Sequence, residues 1–131
     1  MQWLVKLVLE AIGVPPVFIN RGDSEFLDFG MMDFDQSPGW KNLDCSGIVP
    51  SNASAIAFWF DGFSPTVEST VSFFVGGHAH IPNSCVLIAQ VANILNNGDF
   101  VLPIGPDGIV QYGFATNDWE FIGMFIKGWW L

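Results

Sequence analysis

Short apolar runs separated by turn-forming residues recur along the chain from residue 17 onward. This spacing is typical of an antiparallel sandwich or barrel, because each short strand ends where glycine, proline or asparagine favours a turn. The pattern predicts about eight strands in a jelly-roll-like, all-β sandwich over residues 17–131. The predicted strand segments are Val17–Asn20, Glu25–Phe29 with a continuation at Met31–Phe34, Trp40–Leu43, Ala53–Phe60, Val67–Val75, Ser84–Ile94, Phe100–Ile104, Ile109–Phe114 and Phe121–Leu131.

Polar, turn-forming segments separate these predicted strands. Asp61-Gly62 is predicted to end the strand at 53–60, and Asn96-Asn97-Gly98-Asp99 has the composition of a hairpin turn. Most of the 14 glycines and 8 prolines lie at predicted corners of this kind. We detect no repeat and no low-complexity linker after residue 16, so the pattern predicts one sandwich domain.

Residues 1–16 follow a different pattern and are predicted to form an apolar N-terminal arm. Their apolar side chains recur at helical spacing and would form one stripe: Trp3, Leu4, Leu7, Val8, Ala11 and Ile12. Lys6 and Glu10 interrupt the run, which is also too short to span a bilayer. We expect the arm to dock on its own sandwich or on a neighbouring subunit.

Two predicted strands are apolar on both faces. At 53–60 one face carries Ile56, Phe58 and Phe60, and the other carries Ala55, Ala57 and Trp59. At 121–130 the faces carry Phe121, Phe125 and Trp129, and Ile122, Met124, Ile126 and Trp130. A strand with one solvated face alternates apolar with polar residues, so these strands need a further covering layer. We therefore predict an obligate homo-oligomer whose interface residues are Trp3, Leu7, Trp59, Phe125, Trp129 and Trp130.

Composition narrows the classes of partner. Half of the 131 residues are hydrophobic, only 13% are charged, and the formal net charge is −9. That charge repels phosphate backbones and anionic membrane surfaces, so we expect neither nucleic acid nor a membrane as partner. With so few charges, burial of apolar surface in an assembly would help to keep the protein soluble.

Few residues suggest chemistry. Cys45 and Cys85 could form a disulfide, bind metal or remain buried and free, and the last outcome is the commonest for isolated cysteines among apolar residues. His78 and His80 lie on one side of an extended segment, as zinc ligands would, and Asp33 with Asp35 resembles part of a calcium loop. Simpler interpretations are favoured in both cases: the histidines belong to a loop, and the two aspartates are solvated loop acids.

The tripeptide Arg21-Gly22-Asp23 matches an adhesion motif, although a simple turn explains it. The chain carries no recognisable nucleophile–base motif and no phosphate-binding loop. We therefore predict a protein that is not an enzyme and uses no cofactor.

Part of the sequence resembles a family of virion proteins. The stretch RGDSEFLDFGMMDFDQSPGWKNLDCSGIVPSNASAIAF, followed by QVAN, DGIVQYGF and WEFIGMFIKGWW, is similar to small β-sandwich proteins of tailed bacteriophages. Those proteins decorate capsids or associate with fibres. The resemblance covers roughly residues 20–131; Cys45, where the pattern usually has leucine, and the N-terminal arm depart from it.

The resemblance implies a structural protein of the virion, and residues within it carry structural roles. Trp40 and Leu43 are expected to pack inward, and Asp44 with Ser46 to tie a turn. The predicted function is capsid decoration through subunit contacts, as a homo-oligomer bound to other virion proteins such as the major capsid protein. The resemblance alone implies a trimer.

The alternative is a carbohydrate- or host-receptor-binding module of a tail fibre. That function requires solvent-exposed tryptophans beside acids in one groove, and Trp40, Trp59 and Trp119 are the candidates to stack on sugars. Tryptophans buried in the core or between subunits favour the structural role.

Overall fold

The strands form two antiparallel sheets in the computed structural model, which describes residues 17–22, 26–74 and 85–131. A short 3-10 helix at Met31–Asp33 is the one helical element in that part of the chain. The strands are β1 (Phe18–Asn20), β2 (Lys41–Asp44), β3 (Ala55–Phe63), β4 (Thr70–Phe74), β5 (Cys85–Ile88), β6 (Asn96–Pro103), β7 (Ile109–Phe114) and β8 (Phe121–Trp130).

The strand order confirms the predicted jelly-roll-like sandwich. The first sheet has the order β1-β8-β3-β6 and the second the order β2-β7-β4-β5. The first strand therefore pairs with the last, the second with the seventh, the third with the sixth and the fourth with the fifth, all antiparallel. This arrangement is one long hairpin wound around a common core, which is the connectivity of a jelly roll.

The core lies between the two sheets and is rich in aromatic residues. Phe58 and Phe60 of β3 alternate inward and meet Phe73 of β4 at ring-centroid distances of 5.2 and 5.0 Å. Phe34, from the segment after the 3-10 helix, packs edge-on against Tyr112 at 5.0 Å. These edge-to-face contacts add specificity to a core that two apolar sheet faces already stabilise.

Two side chains complete the hydrogen bonding at one edge of β8. The strand β1 pairs with residues 128–130, and Phe29 forms an isolated bridge with Met124. Between them, the backbone N–H of Ile126 donates to Asp28 Oδ2 at 2.7 Å, and the Ile126 carbonyl accepts from Arg21 at 3.1 Å. Arg21 also donates to Asp28 from both terminal guanidinium nitrogens. The ion pair therefore substitutes for a missing stretch of edge strand.

Both turns predicted within the first sheet are wrong, and the two errors have one cause. Asp61 and Gly62 continue β3, and Asn96–Asp99 forms the first half of β6. The two segments pair with each other, since Asp61 lies opposite Asn97 and Gly62 opposite Asn96. The ladder thus overrides the turn-forming composition of both segments.

Two other strand predictions are also corrected. Met31–Asp33 is a 3-10 helix, and Gly30 N–H donates to Asp33 Oδ2 at 2.8 Å to close its first turn. Within the apolar run predicted at 84–94, Cys85–Ile88 forms a strand and the described residues 89–94 do not. The chain turns after Ala89, and Asn93 adopts a left-handed conformation with φ 59°, which asparagine tolerates better than most residues.

Candidate functional site

The outer surface of the first sheet is largely aromatic along β1, β3 and β8, whereas β6 adds Asn97 and Asp99 at its edge. Three cross-strand ring pairs lie on it, and together they form what we call the aromatic face: Phe18 with Trp130, Trp59 with Phe125, and Phe63 with Phe121. Their centroid distances are 4.6, 6.4 and 6.1 Å. Phe18 is 41% exposed and the other five residues are half-buried. The aromatic face therefore presents wide apolar surface to solvent.

Strict alternation along β3 creates half of this face. Ile56, Phe58 and Phe60 are fully buried, whereas Ala57 and Trp59 are half-buried on the opposite side. The prediction that β3 is apolar on both faces is therefore confirmed. Within the described chain, no second layer of strands lies over the outer side.

A β-bulge corrects the predicted faces of β8. Ala57 pairs with Gly128 but Phe58 pairs with Ile126, so Lys127 is an extra residue in the ladder. The bulge shifts the alternation by one residue. Trp129 consequently packs against the core, and Trp130 lies on the aromatic face, the reverse of the predicted placement.

The predicted interface residues divide into three groups. Trp59, Phe125 and Trp130 lie on the aromatic face, and Trp129 lies on the inner side of the same sheet. Trp3 and Leu7 are outside the described residues, as is the whole arm at 1–16. The residues that sequence reasoning missed are Phe18, Phe63 and Phe121, although register matching of the first strand with the last would have found Phe18.

Asp61 is an acid set within the aromatic face. Its Oδ1 is buried and has no hydrogen-bond partner, and it lies where Gly123 leaves room, since a Cβ on Gly123 would stand 2.6 Å from that oxygen. The side chain of Leu27 packs over the same glycine. Burial raises the pKa of Asp61, and interaction with the Trp59 side chain offsets part of that effect.

The outer face of the second sheet is more polar and carries a groove beside Trp40. This tryptophan is 52% exposed, so the expectation that it packs inward is wrong, whereas Leu43 is buried as predicted. The indole ring lies over Gly113, where an added Cβ would come 2.5 Å from its Cε3 atom. Glycine at this position therefore lets the indole lie directly on β7.

The groove consists of two adjoining hollows. One, of about 310 Å³, is lined by Gly39, Trp40, Thr70, Ser72, Gly113, Phe114 and Ala115. The other, of about 430 Å³, is lined by Gln36, Pro38, Gly39, Phe114, Ala115, Thr116 and Asn117. Gly39, Phe114 and Ala115 belong to both, so the hollows form one continuous groove, which we call the Trp40 groove.

Asp118 connects, through hydrogen bonds, the two loops at one end of this groove, which contain residues 64–66 and 116–118. Its carboxylate accepts hydrogen bonds from the hydroxyls of Ser64, Thr66 and Thr116. These bonds, with that from Thr116 the largest, hold the pKa of Asp118 below its usual value. Trp119 is buried and donates from Nε1 to Ser69 at 3.0 Å, so it is a core residue and not a sugar platform.

The remaining candidate residues have structural roles where they are described. Cys45 is fully buried and Cys85 half-buried, and neither forms a disulfide in the described chain. Asp35 accepts a hydrogen bond from the Ser37 N–H at 2.9 Å, the Arg21 side chain is bound to Asp28, and His78 and His80 lie outside the described residues. Among the described residues, no group of three or more metal-ligating side chains occurs.

No helix in the described residues is long and apolar enough to cross a bilayer. Comparison with known families finds no family model that matches the chain, and no curated protein matches it significantly.

Proposed function

We propose that the protein is a non-enzymatic structural component of a virus particle that acts through subunit contacts made by the aromatic face. Three cross-strand ring pairs exposed on one sheet carry the proposal. The resemblance of residues 20–131 to small virion proteins of tailed bacteriophages supports the viral setting, and capsid decoration is the role that it implies.

Protein contact is the physical use that best fits the aromatic face. Rings held by a sheet lose little conformational entropy on binding, and they bury large apolar area when a partner covers them. Aromatic residues are enriched at the centres of protein interfaces for this reason. A second copy of the same sheet would supply rings of the same shape and the same spacing.

The proposed assembly is a homo-oligomer bound to other virion proteins, the major capsid protein among them. The resemblance implies a trimer. The net charge of −9 argues against nucleic acid and anionic membranes as partners.

Sedimentation velocity of the full chain tests the role of the aromatic face. The wild type is expected to sediment as an oligomer at micromolar concentration, and a Trp59→Gln, Phe125→Gln variant as a monomer. Val86→Gln is the matched control, since Val86 is 46% exposed on the outer face of the other sheet, and it should remain oligomeric. A wild type that stays monomeric, or a variant that still assembles, would contradict the proposal.

Circular dichroism distinguishes loss of assembly from loss of fold. The far-ultraviolet spectrum of the Trp59→Gln, Phe125→Gln variant should match that of the wild type, because both side chains lie outside the core.

Mass spectrometry and electron microscopy of particles purified from the source test the viral role. Decoration predicts the chain at many copies per particle, in symmetric positions on the capsid. Its absence from purified particles would exclude the virion assignment while leaving the assembly experiment valid.

A further inference from the structure

We propose that the Trp40 groove is a binding site for a neutral saccharide. The site is separate from the aromatic face, because it lies on the outer side of the other sheet. The inference therefore does not depend on whether the chain assembles through the first sheet.

The groove combines one fixed aromatic ring with hydroxyl groups. Trp40 lies over Gly113, and Ser72 is the cross-strand partner of that glycine. Thr70 lies two residues from Ser72 on the same face, beside Ala115, whose N–H donates to the Thr70 carbonyl at 2.9 Å. Two hydroxyls therefore follow the groove next to the indole ring.

Pyranose sugars have the complementary chemistry. A pyranose ring presents C–H groups on its faces, which pack on an aromatic surface, and hydroxyls around its edge, which exchange hydrogen bonds with side chains. The hollows of about 310 and 430 Å³ are in the size range of small-ligand sites, roughly 300–1,000 Å³. Each is therefore large enough to hold one sugar unit.

The charge of the site selects neutral sugars. None of the described residues that line the Trp40 groove has an ionisable side chain. The Lys41 ammonium beside the groove already donates to the carbonyls of Pro38 and Gly39, and the protein as a whole carries a net charge of −9. Acidic saccharides would therefore be disfavoured by the Asp118 carboxylate at one end of the groove and by the overall negative charge. The groove lining carries no acid, and Asp118 at its end is bound to three hydroxyls, which departs from the sequence-based expectation of carboxylates beside the exposed tryptophan.

The anchoring loops keep the groove in shape without a ligand. Gln36 forms two hydrogen bonds with the backbone of Trp119, at 2.8 and 3.0 Å. Lys41 Nζ donates to the carbonyls of Pro38 and Gly39, at 2.9 and 3.4 Å. Both contacts hold the segment that carries Trp40 against the sheet. A preformed site binds with a smaller ordering cost than a mobile one.

A glycan array followed by titration calorimetry tests the inference. The array should contain neutral saccharides built from glucose, galactose, mannose and N-acetylglucosamine, with sialylated and sulfated saccharides for comparison. The wild type is expected to bind at least one neutral saccharide and to show weaker or no binding to acidic ones. Binding to no neutral saccharide on the array, or only to acidic ones, would overturn the proposal.

Two variants and one control locate the binding site. Trp40→Ala should weaken binding of the best neutral saccharide at least about tenfold, as expected for loss of an aromatic anchor. Ser72→Ala should weaken it less, and Val101→Ala, at an exposed position on the opposite sheet, should leave it unchanged. An unchanged affinity in Trp40→Ala would exclude this groove.

Nuclear magnetic resonance provides a readout that does not depend on a stable Trp40→Ala variant. The indole N–H signal that disappears in Trp40→Phe should be the one that shifts most when the wild type is titrated with the saccharide. A shift confined to another tryptophan would place the sugar elsewhere.

Discussion

Asp61 is a carboxylate that lies among the rings of the aromatic face. Its buried Oδ1 has no hydrogen-bond partner, and burial raises its pKa. A carboxyl whose pKa is higher in the folded state favours folding most when it is protonated. Its contribution to stability is therefore lost as the pH rises from the ordinary pKa of aspartate through the raised value.

We expect Asp61→Asn to be more stable than the wild type at neutral pH. Asparagine keeps the shape of the side chain but carries no charge to bury. The difference in melting temperature should shrink as the pH falls, because the wild-type carboxyl then becomes neutral as well. Thermal melts across the acid range measure this, with the exposed Asp99→Asn as control. A variant less stable than the wild type at pH 7 would show that the charged form is favoured.

Cys45 is expected to resist alkylation in the folded protein. Burial, reinforced by the negative charges of Asp44 and Asp28, raises the pKa of its thiol to about 12. The reactive thiolate is therefore scarce at neutral pH, and the sulfur is inaccessible as well. Mass spectrometry after iodoacetamide treatment should find Cys85 modified first and Cys45 only in denaturant. Equal rates at the two cysteines would contradict the buried placement.

At the scale of elements, the ion pair between Arg21 and Asp28 replaces a segment of edge strand beside β8. We expect Asp28→Ala to lower the free energy of unfolding by about 1–3 kcal/mol, because the backbone N–H of Ile126 loses its acceptor and Arg21 its partner. Denaturant titration measures the change. The exposed pair of Lys127 with Asp99, at 2.8 Å, provides the control, and Lys127→Ala should cost less than about 1 kcal/mol. If Asp28→Ala and Lys127→Ala lowered the free energy of unfolding equally, the ion pair between Arg21 and Asp28 would not be replacing a segment of edge strand.

The contact of β1 with β8 depends on a glycine. A Cβ on Gly128 would stand 2.2 Å from the Ile19 carbonyl oxygen and 2.6 Å from the Phe18 ring. Gly128→Ala should therefore displace β1 and destabilise the fold by about 1–3 kcal/mol. Gly47→Ala is the matched control, since nothing lies within 4 Å of that position. If denaturant titration showed no change in the free energy of unfolding for Gly128→Ala, β1 would contribute little to stability.

Sequence patterns predicted strands well where the spacing of apolar residues defines them. They predicted strands poorly where pairing with a distant strand determines the conformation. The strand at 109–114 has the predicted bounds, and its inward residues are buried. Gly98, predicted in a turn, instead lies in β6 with the Phe100 ring over it, 2.7 Å from where a Cβ would stand. Only the pairing with β3 makes that segment extended, and a single sequence does not reveal its partner.

The candidate surfaces were predictable to different degrees. The two apolar faces of β3 follow from simple alternation, so Trp59 could be assigned to the outer side. The bulge at Lys127 could not be anticipated, because it depends on the register of β8 against β3. The exposure of Trp40 likewise follows from the close approach that Gly113 permits, a relation between residues 73 positions apart.

For the whole molecule, the wound hairpin implies slow folding. Its first strand must find its last, more than 100 residues away, before the first sheet is complete. Folds dominated by such distant pairings refold in roughly milliseconds to seconds. Stopped-flow tryptophan fluorescence at low protein concentration should show a main phase in that range. Complete refolding within microseconds would be inconsistent with this topology.

The last backbone hydrogen bond of the first sheet joins the N–H of Leu131 to the carbonyl of Val17 at 2.9 Å. A short peptide linker could therefore connect these two residues directly, and the chain could be reopened in the 89–95 connection at the other end of the sandwich. Such a circular permutant, lacking residues 1–16, would keep every strand pair of the described chain while moving the C-terminus away from the border of the aromatic face, where a purification tag after Leu131 would otherwise crowd Trp130.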